Sequence, residues 1–292
     1  MAFEMDAIIL GGDPIKSELY DTKEKVKGNK FSLFMKNRYM GVYVLDALQN
    51  SKFIDNIVVI TDKTKLLKKF KYKKNVQFVQ QVGSITENFL QAVKKLDVNK
   101  NNPVLVIACD LPLLKKEAID SLVKEYNKYD SDIFLALVPY ENFKEFLGIC
   151  VTNFQPIRVN NKLIYGEKVN GIIIKPKYLV KNKTLINTVQ LVYENRELES
   201  LRKQIRNLKF LPYIFKNFGI FEVLTAIYLY LISRVLVALN HNRSLYWLMP
   251  EKESFEKKIS KKYKVNIGFV NYPEFSIDCD TEDDKRGIER IL

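Results

Sequence analysis

The residues best suited to chemistry are carboxylates that directly follow apolar runs. Asp110 ends the run VIACD, and Asp278 and Asp280 follow the last apolar run, two residues apart. A carboxylate at the end of a buried strand is costly unless something pairs with it, and a divalent cation is a natural partner. Residues two apart face the same side of an extended segment. The sequence therefore predicts a metal site from Asp110, Asp278 and Asp280, with helix capping as the structural alternative.

Glycines and basic residues nearer the start could bind phosphate. The first apolar run ends at Leu10 and leads into Gly11 and Gly12, whose backbone N–H groups can approach a ligand closely. The pair has neither GxGxxG spacing nor a GK[ST] ending, and a plain turn fits it equally well. Lys30 and Arg38 follow, where cations could neutralise charge during phosphoryl transfer. Each of these two side chains, taken singly, is also typical of a solvated surface.

The composition of the chain limits the metals, the catalytic groups and the partners that are expected. With the single histidine His241, a metal must be held by oxygen ligands, which favours magnesium, calcium or manganese over zinc and disfavours Ser-His-Asp catalysis. Cys109, Cys150 and Cys279 are odd in number and far apart, which suits neither disulfides nor a zinc site and indicates a reducing cytoplasm. The net charge of +13 favours anionic partners. The lysines are dispersed, so no nucleic-acid surface is expected.

The elements that must position these residues alternate along the first 150 positions. Short β-branched runs separated by amphipathic stretches predict an α/β fold with a doubly wound, mostly parallel sheet. Strands are predicted at 7–10, 57–60, 76–79, 104–108 and 132–138, with further strands at 148–152, 171–174 and 265–270. Helices are predicted at 38–48, 88–96 and 116–126.

The character of the chain changes between residues 181 and 262, where glycine and proline are nearly absent. We predict a core at 1–180, an inserted α-helical subdomain at 181–262, and a C-terminal strand and metal-binding segment at 263–292 that completes the core. The apolar run 218–239 has the length of a membrane span, but it contains Glu222 and Arg234. A buried or partner-covered helix is favoured, with a membrane-surface contact or a true span as alternatives. The start of the chain predicts no signal peptide, and we expect a cytoplasmic, possibly membrane-associated protein.

The order of these motifs resembles the MobA-like branch of the NTP transferase superfamily, which has a Rossmann-like GT-A nucleotidyltransferase fold. The resemblance covers residues 5–175 and 265–287. It is carried by IILGGD at 8–13, KFSLFMKNRYMGVYVLDAL at 30–48, VGSITENFLQAV at 82–93, CDLPLL at 109–114 and IDCDTEDD at 277–284. The segment 13–29 departs from the family, because it is longer than the usual G-x-R segment and has no arginine.

The resemblance implies a role for individual residues. Lys30 takes the place of the phosphate-binding lysine, Arg38 stands where a second lysine is common, and Asp110 and Asp278 take the two metal positions. Four further residues are implied as ligand contacts, three for base and ribose and one for the acceptor: Gly83, Ser84, Asn88 and Asn170.

The implied reaction is transfer of an NMP from an NTP to a phosphorylated small-molecule or lipid-linked acceptor, with Mg²⁺ or Mn²⁺ as cofactor and pyrophosphate as product. No protein nucleophile is needed, because the acceptor phosphate is already ionised. A nucleotide-sugar glycosyltransferase and a non-catalytic nucleotide-binding protein remain alternatives. The helical insertion could form a homodimer interface, contact a membrane surface or cover the acceptor.

Overall fold

The computed structural model describes residues 4–11, 30–62, 64–67, 71–96, 102–146, 154–180, 232, 247, 249–259 and 263–292. The strands are β1 Met5–Leu10, β2 Phe34–Met35, β3 Arg38–Tyr39, β4 Ile54–Thr61, β5 Asn75–Gln80, β6 Val104–Ala108, β7 Ile133–Pro139, β8 Gln155–Val159, β9 Lys162–Lys168, β10 Gly171–Ile174 and β11 Val265–Phe269. The α-helices are α1 Met40–Asn50, α2 Thr64–Leu67, α3 Ile85–Leu96, α4 Lys116–Tyr126, α5 Lys177–Val180, α6 Lys252–Ile259 and α7 Glu282–Ile291.

Nine of the described strands form one mixed sheet with a parallel core. Its order is β5-β4-β1-β6-β10-β7-β9-β8, and β11 pairs with β7. The strands β5, β4, β1 and β6 run parallel, whereas β10 is antiparallel to both β6 and β7. Parallel pairing brings the carboxyl ends of β1 and β6 to the same edge of the sheet, where ligands bind in open α/β folds.

Helices cover both faces of the sheet, as the continuous apolar strands require. One face packs against α1 and α4 in a large buried cluster that includes Val44, Leu48 and Ile119. The other face packs against α3 through Phe89 and Val93. These two layers hold the strands rigidly, so that residues at the strand ends are fixed in position.

The structure confirms the predicted fold class and most of the predicted elements, with two differences. Residues 38 and 39 form β3, which pairs with β2, and the first helix starts only at Met40. The hairpin of β8 and β9 was not predicted from the sequence. It turns at Asn160 and Asn161, which both have positive φ angles, as a two-residue hairpin turn requires.

Other sequence predictions remain open. The strand predicted at 148–152 and most of the insertion predicted at 181–262 lie outside the described residues. Residues 249–259 are described, and they pack on the core: the Ile267 N–H donates to Glu256 Oε1 over 2.6 Å, and Met249 lies in the main cluster. Within the described part of the chain, no helix is both long and apolar enough to cross a membrane.

Candidate active site

Backbone hydrogen bonds gather three segments at the carboxyl ends of β1 and β6. The Cys109 N–H donates to the Leu10 carbonyl, and the Phe31 N–H donates to the Gly11 carbonyl, each over 3.1 Å. The second bond places the 3-10 turn of residues 30–32 directly beside the glycine loop. Phe31 is fully buried and packs where Gly41 has no side chain, so the turn is anchored in the core.

The C-terminal segment reaches the same edge. The Cys279 N–H donates to the Asp110 carbonyl over 3.0 Å, and the Ala108 N–H donates to the Asn170 carbonyl over 3.1 Å. The segments that carry the expected metal ligands come from distant parts of the chain and therefore lie side by side. The C-terminal segment lies at the edge that carries Asp110.

Lys30 lies between two of the carboxylates. Its ammonium is 2.9 Å from Asp110 Oδ2 and also forms an ion pair with Asp280 Oδ1. Burial of Lys30 disfavours its charged form, but the charges of Asp110 and Asp280 outweigh burial and raise its pKa. A positive charge is therefore favoured between these two carboxylates.

Asp278 lies close to the same charges but contacts a neutral partner. Its Oδ2 accepts a hydrogen bond from Asn170 Nδ2 over 3.1 Å. Burial raises the pKa of Asp278 to about 7, with repulsion from Asp280 and Asp110 acting in the same direction and Lys30 opposing it. Asn170, which the resemblance implied as an acceptor contact, thus holds a carboxylate. Among the described residues, the three aspartates carry more negative charge than Lys30 neutralises.

Asp110 has an unused acceptor. Its Oδ1 is buried and has no hydrogen-bond partner among the described residues. A buried carboxylate oxygen without a partner is unfavourable, and a hard cation would satisfy it. Among the residues the structure describes, no three histidine, cysteine or acidic side chains are already arranged around one point as a metal cage. Lys30 bridges two of the three candidate ligands, Asp110 and Asp280.

The loop predicted to contact base and ribose is built as a helix cap. The Ser84 N–H donates to Glu87 Oε2 over 2.7 Å, and the Glu87 N–H donates back to Ser84 Oγ, which forms a capping box for α3. Asn88 is buried and accepts from the Val82 N–H over 2.9 Å. Gly83 has a φ of 67°, which a residue with a side chain adopts only with strain. These contacts give the loop a fixed shape.

The other residues predicted for the site are Arg38 and Gly12. Arg38 pairs with Asp46, and its guanidinium lies 4.8 Å from the centre of the Tyr43 ring, so the described contacts tie it to α1. Gly12 lies outside the described residues. Three further acidic residues lie in the first turn of α7: Glu282, Asp283 and Asp284. Of these, Asp284 forms a capping box with Thr281.

Sequence reasoning missed one carboxylate at this edge. Asp62 follows β4 and accepts a hydrogen bond from Ser32 Oγ over 2.5 Å. Ser32 belongs to the turn that carries Lys30. The run VVITD has the same pattern as VIACD, an apolar strand followed by an aspartate, so the signal that indicated Asp110 was also present for Asp62.

Comparisons with solved structures agree with this architecture. A hypothetical transferase from Thermus thermophilus aligns over 97% of this chain and 100% of its own, with 17% identity and a TM-score of 0.61. A 4-diphosphocytidyl-2C-methyl-D-erythritol synthase from Anaerococcus prevotii aligns over 100% of this chain and 99% of its own, with 13% identity and a TM-score of 0.51. At these identities the likeness describes the fold alone.

Sequence comparison identifies the family. A search of curated proteins finds no match to this chain. A family model described as the MobA-like NTP transferase domain matches residues 23–205. The match includes Lys30 and Asp110 but starts after Gly11 and ends before Asp278, so it does not bear on those two residues. The match spans more than half of the 292 residues, and the chain therefore belongs to the MobA-like NTP transferase domain family.

Proposed function

We propose that this chain is a divalent-metal-dependent enzyme that transfers an NMP from an NTP to a phosphorylated acceptor and releases pyrophosphate. The observation that supports this most directly is the position of the Lys30 ammonium between Asp110 and Asp280 at the carboxyl edge of the sheet. A cation among carboxylates beside a glycine loop suits a triphosphate and its counter-ion.

The carboxylates fit a magnesium or manganese ion. Asp110 offers an oxygen without a described partner, and Asp278 accepts a hydrogen bond from a neutral side chain, Asn170. In our proposal Asp110 and Asp278 hold the ion, and Asp280 contributes negative charge nearby. When bound, the ion would neutralise the phosphates and orient them for an in-line displacement.

The protein's own residues would supply position and charge. The Lys30 ammonium is held by Asp110 and Asp280 on a turn that the buried Phe31 anchors, and it would stabilise negative charge that develops on the triphosphate. The Gly11 carbonyl already accepts from Phe31, which holds the glycine loop against the lysine turn. The acceptor phosphate attacks the α-phosphorus, and pyrophosphate leaves. Because the attacking oxygen is already ionised, the chain needs no general base.

The test is a matrix of the four NTPs against phosphorylated acceptors, scored by pyrophosphate release with and without Mg²⁺. We expect release for at least one pair, and we expect EDTA to abolish it. Phosphorylated acceptors should include sugar phosphates, polyol phosphates and alkyl phosphates, because the sequence does not identify the acceptor.

The two alternatives give different products. A glycosyltransferase would release a nucleoside diphosphate from a nucleotide sugar and no pyrophosphate from an NTP. A non-catalytic protein would bind NTP with Mg²⁺ and release nothing. Either result, obtained across the whole matrix, would contradict the proposed function.

A further inference from the structure

An apolar cavity of about 460 Å³ lies between β7, β8, β9 and residues 249–255. Its volume is within the range of small-molecule sites. Most of its wall is hydrophobic and comes from several elements, with these residues among the lining: Leu135, Leu137, Ile157, Phe255 and Ile267. The proposed phosphate chemistry uses none of these residues.

The cavity and the candidate active site share one stretch of chain. Val169 and Gly171 line the cavity, and Asn170 between them donates to Asp278. Lys168 also lines the cavity, and its carbonyl accepts from Ser276 Oγ over 2.9 Å. A ligand with its anionic end at the carboxylate site could therefore extend an apolar body into this cavity.

The surroundings of the cavity combine exposed apolar surface with a cation. Leu135 lines the cavity yet is 38% exposed, and Trp247, two residues before the lining residue Met249, is 63% exposed. Lys168 adds a positive charge to the wall, in a chain whose net charge is +13. Exposed apolar residues beside a cation match the two halves of an anionic amphiphile.

We infer that this cavity binds the alkyl or isoprenyl chain of a phosphorylated amphiphile, whose phosphate is the acceptor. This inference rests on the proposed function for the role of the phosphate. The binding itself requires only the cavity and Lys168.

The first test measures binding of n-alkyl phosphates from butyl to decyl, without nucleotide and below their micelle concentrations, by displacement of the fluorescent probe N-phenyl-1-naphthylamine. Affinity should rise by about fourfold for each CH₂ added until the cavity is full. Inorganic phosphate and decanol serve as the head-only and tail-only ligands, and both should bind more weakly than decyl phosphate. A flat dependence on chain length would overturn the inference.

Paired variants locate the binding. Leu135→Glu should weaken decyl phosphate at least tenfold, whereas Ile291→Glu, at a similarly exposed position on α7, should leave its affinity unchanged. Lys168→Glu should weaken decyl phosphate but not decanol, and Lys162→Glu, at the other end of β9, is its control. Equal losses in a variant and its control would overturn the assignment to this cavity.

The outcomes separate this inference from the proposed function. Binding of alkyl phosphates that depends on chain length, without pyrophosphate release from any NTP, would support the assignment of the cavity as an alkyl-chain site. The same result would contradict the proposed nucleotidyl transfer. Release with sugar phosphates, together with no binding of alkyl phosphates, would support the function and overturn the cavity assignment.

Discussion

The two edges of the sheet carry charged clusters that differ in the balance between aspartate and lysine side chains. At the amino edge, where β7 and β11 begin and β10 ends, Asp132 Oδ1 lies 3.2 Å from the Lys175 ammonium, and its Oδ2 accepts from the Lys264 N–H over 3.1 Å. Asp130 pairs with both lysines. A hydrogen bond from Lys264 and the charges of both lysines hold the pKa of Asp130 below its usual value. We call these four residues the balanced network.

At the carboxyl edge, three aspartates face one lysine: Asp110, Asp278 and Asp280 around Lys30. The Asp110 Oδ1 atom has no described partner, and the pKa of Asp278 is raised to about 7. We call this group the acidic site. Balanced charges are typical of a structural role, whereas carboxylates with perturbed pKa values beside a specific charge partner cluster at functional sites. The variants below test that distinction.

The largest effect is expected from Asp110→Asn. The substitution keeps the shape of the side chain but removes the charge that pairs with Lys30, so kcat for pyrophosphate release should fall by about 100- to 1000-fold. The free energy of unfolding should change by less than about 1 kcal/mol, because the site is over-supplied with negative charge. Steady-state kinetics and urea unfolding measure the two quantities. Retained turnover would exclude a metal role for this residue.

The balanced network should show the opposite behaviour. Asp132→Ala leaves the Lys264 N–H without its acceptor and Lys175 with only the exposed Asp130, which should lower the free energy of unfolding by roughly 2 to 4 kcal/mol. The kcat of the folded fraction should stay unchanged. Asp283→Ala, on the exposed first turn of α7, is the control and should alter neither quantity. A loss of kcat in Asp132→Ala would mean that the two edges are coupled.

The titration of Asp278 gives a pH test of the same distinction. Because its folded pKa is raised to about 7, the folded state favours the protonated carboxyl, and stability from this group is lost as pH rises from about 4 to about 7. Asp278→Asn removes that loss. At pH 8 the variant should be more stable than the wild type by about 1 to 3 kcal/mol, after allowing for solvent access, and at pH 4 the difference should vanish. Urea unfolding at both pH values, without metal, measures it.

A control variant and a measurement with added Mg²⁺ complete the pH test. Asp283→Asn, an exposed neighbour, should follow the wild-type pH dependence. Added Mg²⁺ should stabilise the wild type more at pH 8 than at pH 5, because a cation competes with protons for the carboxylates. Identical pH profiles for the wild type and Asp278→Asn would contradict the unbalanced charge that defines the acidic site.

Much of this arrangement was predictable from local sequence. The run at 104–108 contains only apolar residues, and four of the five are valine, isoleucine or leucine, which buried central strands prefer. The predicted boundaries match those of β6. Asp110 then had to lie at a strand end. The helix predicted at 116–126 also matches α4, because its apolar spacing is regular.

The contacts made between distant segments were not predictable in the same way. Asn170 donates to Asp278 across 108 positions of the chain, because β10 inserts antiparallel between β6 and β7. No local pattern encodes that insertion. The hairpin turn at Asn160 and Asn161 had a local signal, since asparagine tolerates positive φ, but the sequence reasoning did not use it.

The smallest effect concerns the turn that carries Lys30. Ser32→Ala removes the hydrogen bond to Asp62 and should cost about 1 kcal/mol of stability, with a several-fold loss in kcat because the Lys30 ammonium is less well held. Ser51→Ala is a matched control: Ser51 is also buried, and its Oγ donates to Asp120 Oδ1 over 2.6 Å, near the start of β4.

Both serine variants should lose stability, Ser51→Ala somewhat more because the Ser51 Oγ also accepts from the Phe53 N–H over 3.2 Å. Only Ser32→Ala should lose turnover, and Ser32→Thr should restore part of it. Because the two bonds are alike in chemistry and burial, a difference in kcat between the variants isolates the positioning of Lys30 from general stability. Equal kcat values in the two variants would mean that the buried Phe31 alone fixes the turn, and that Asp62 contributes stability without aligning the acidic site.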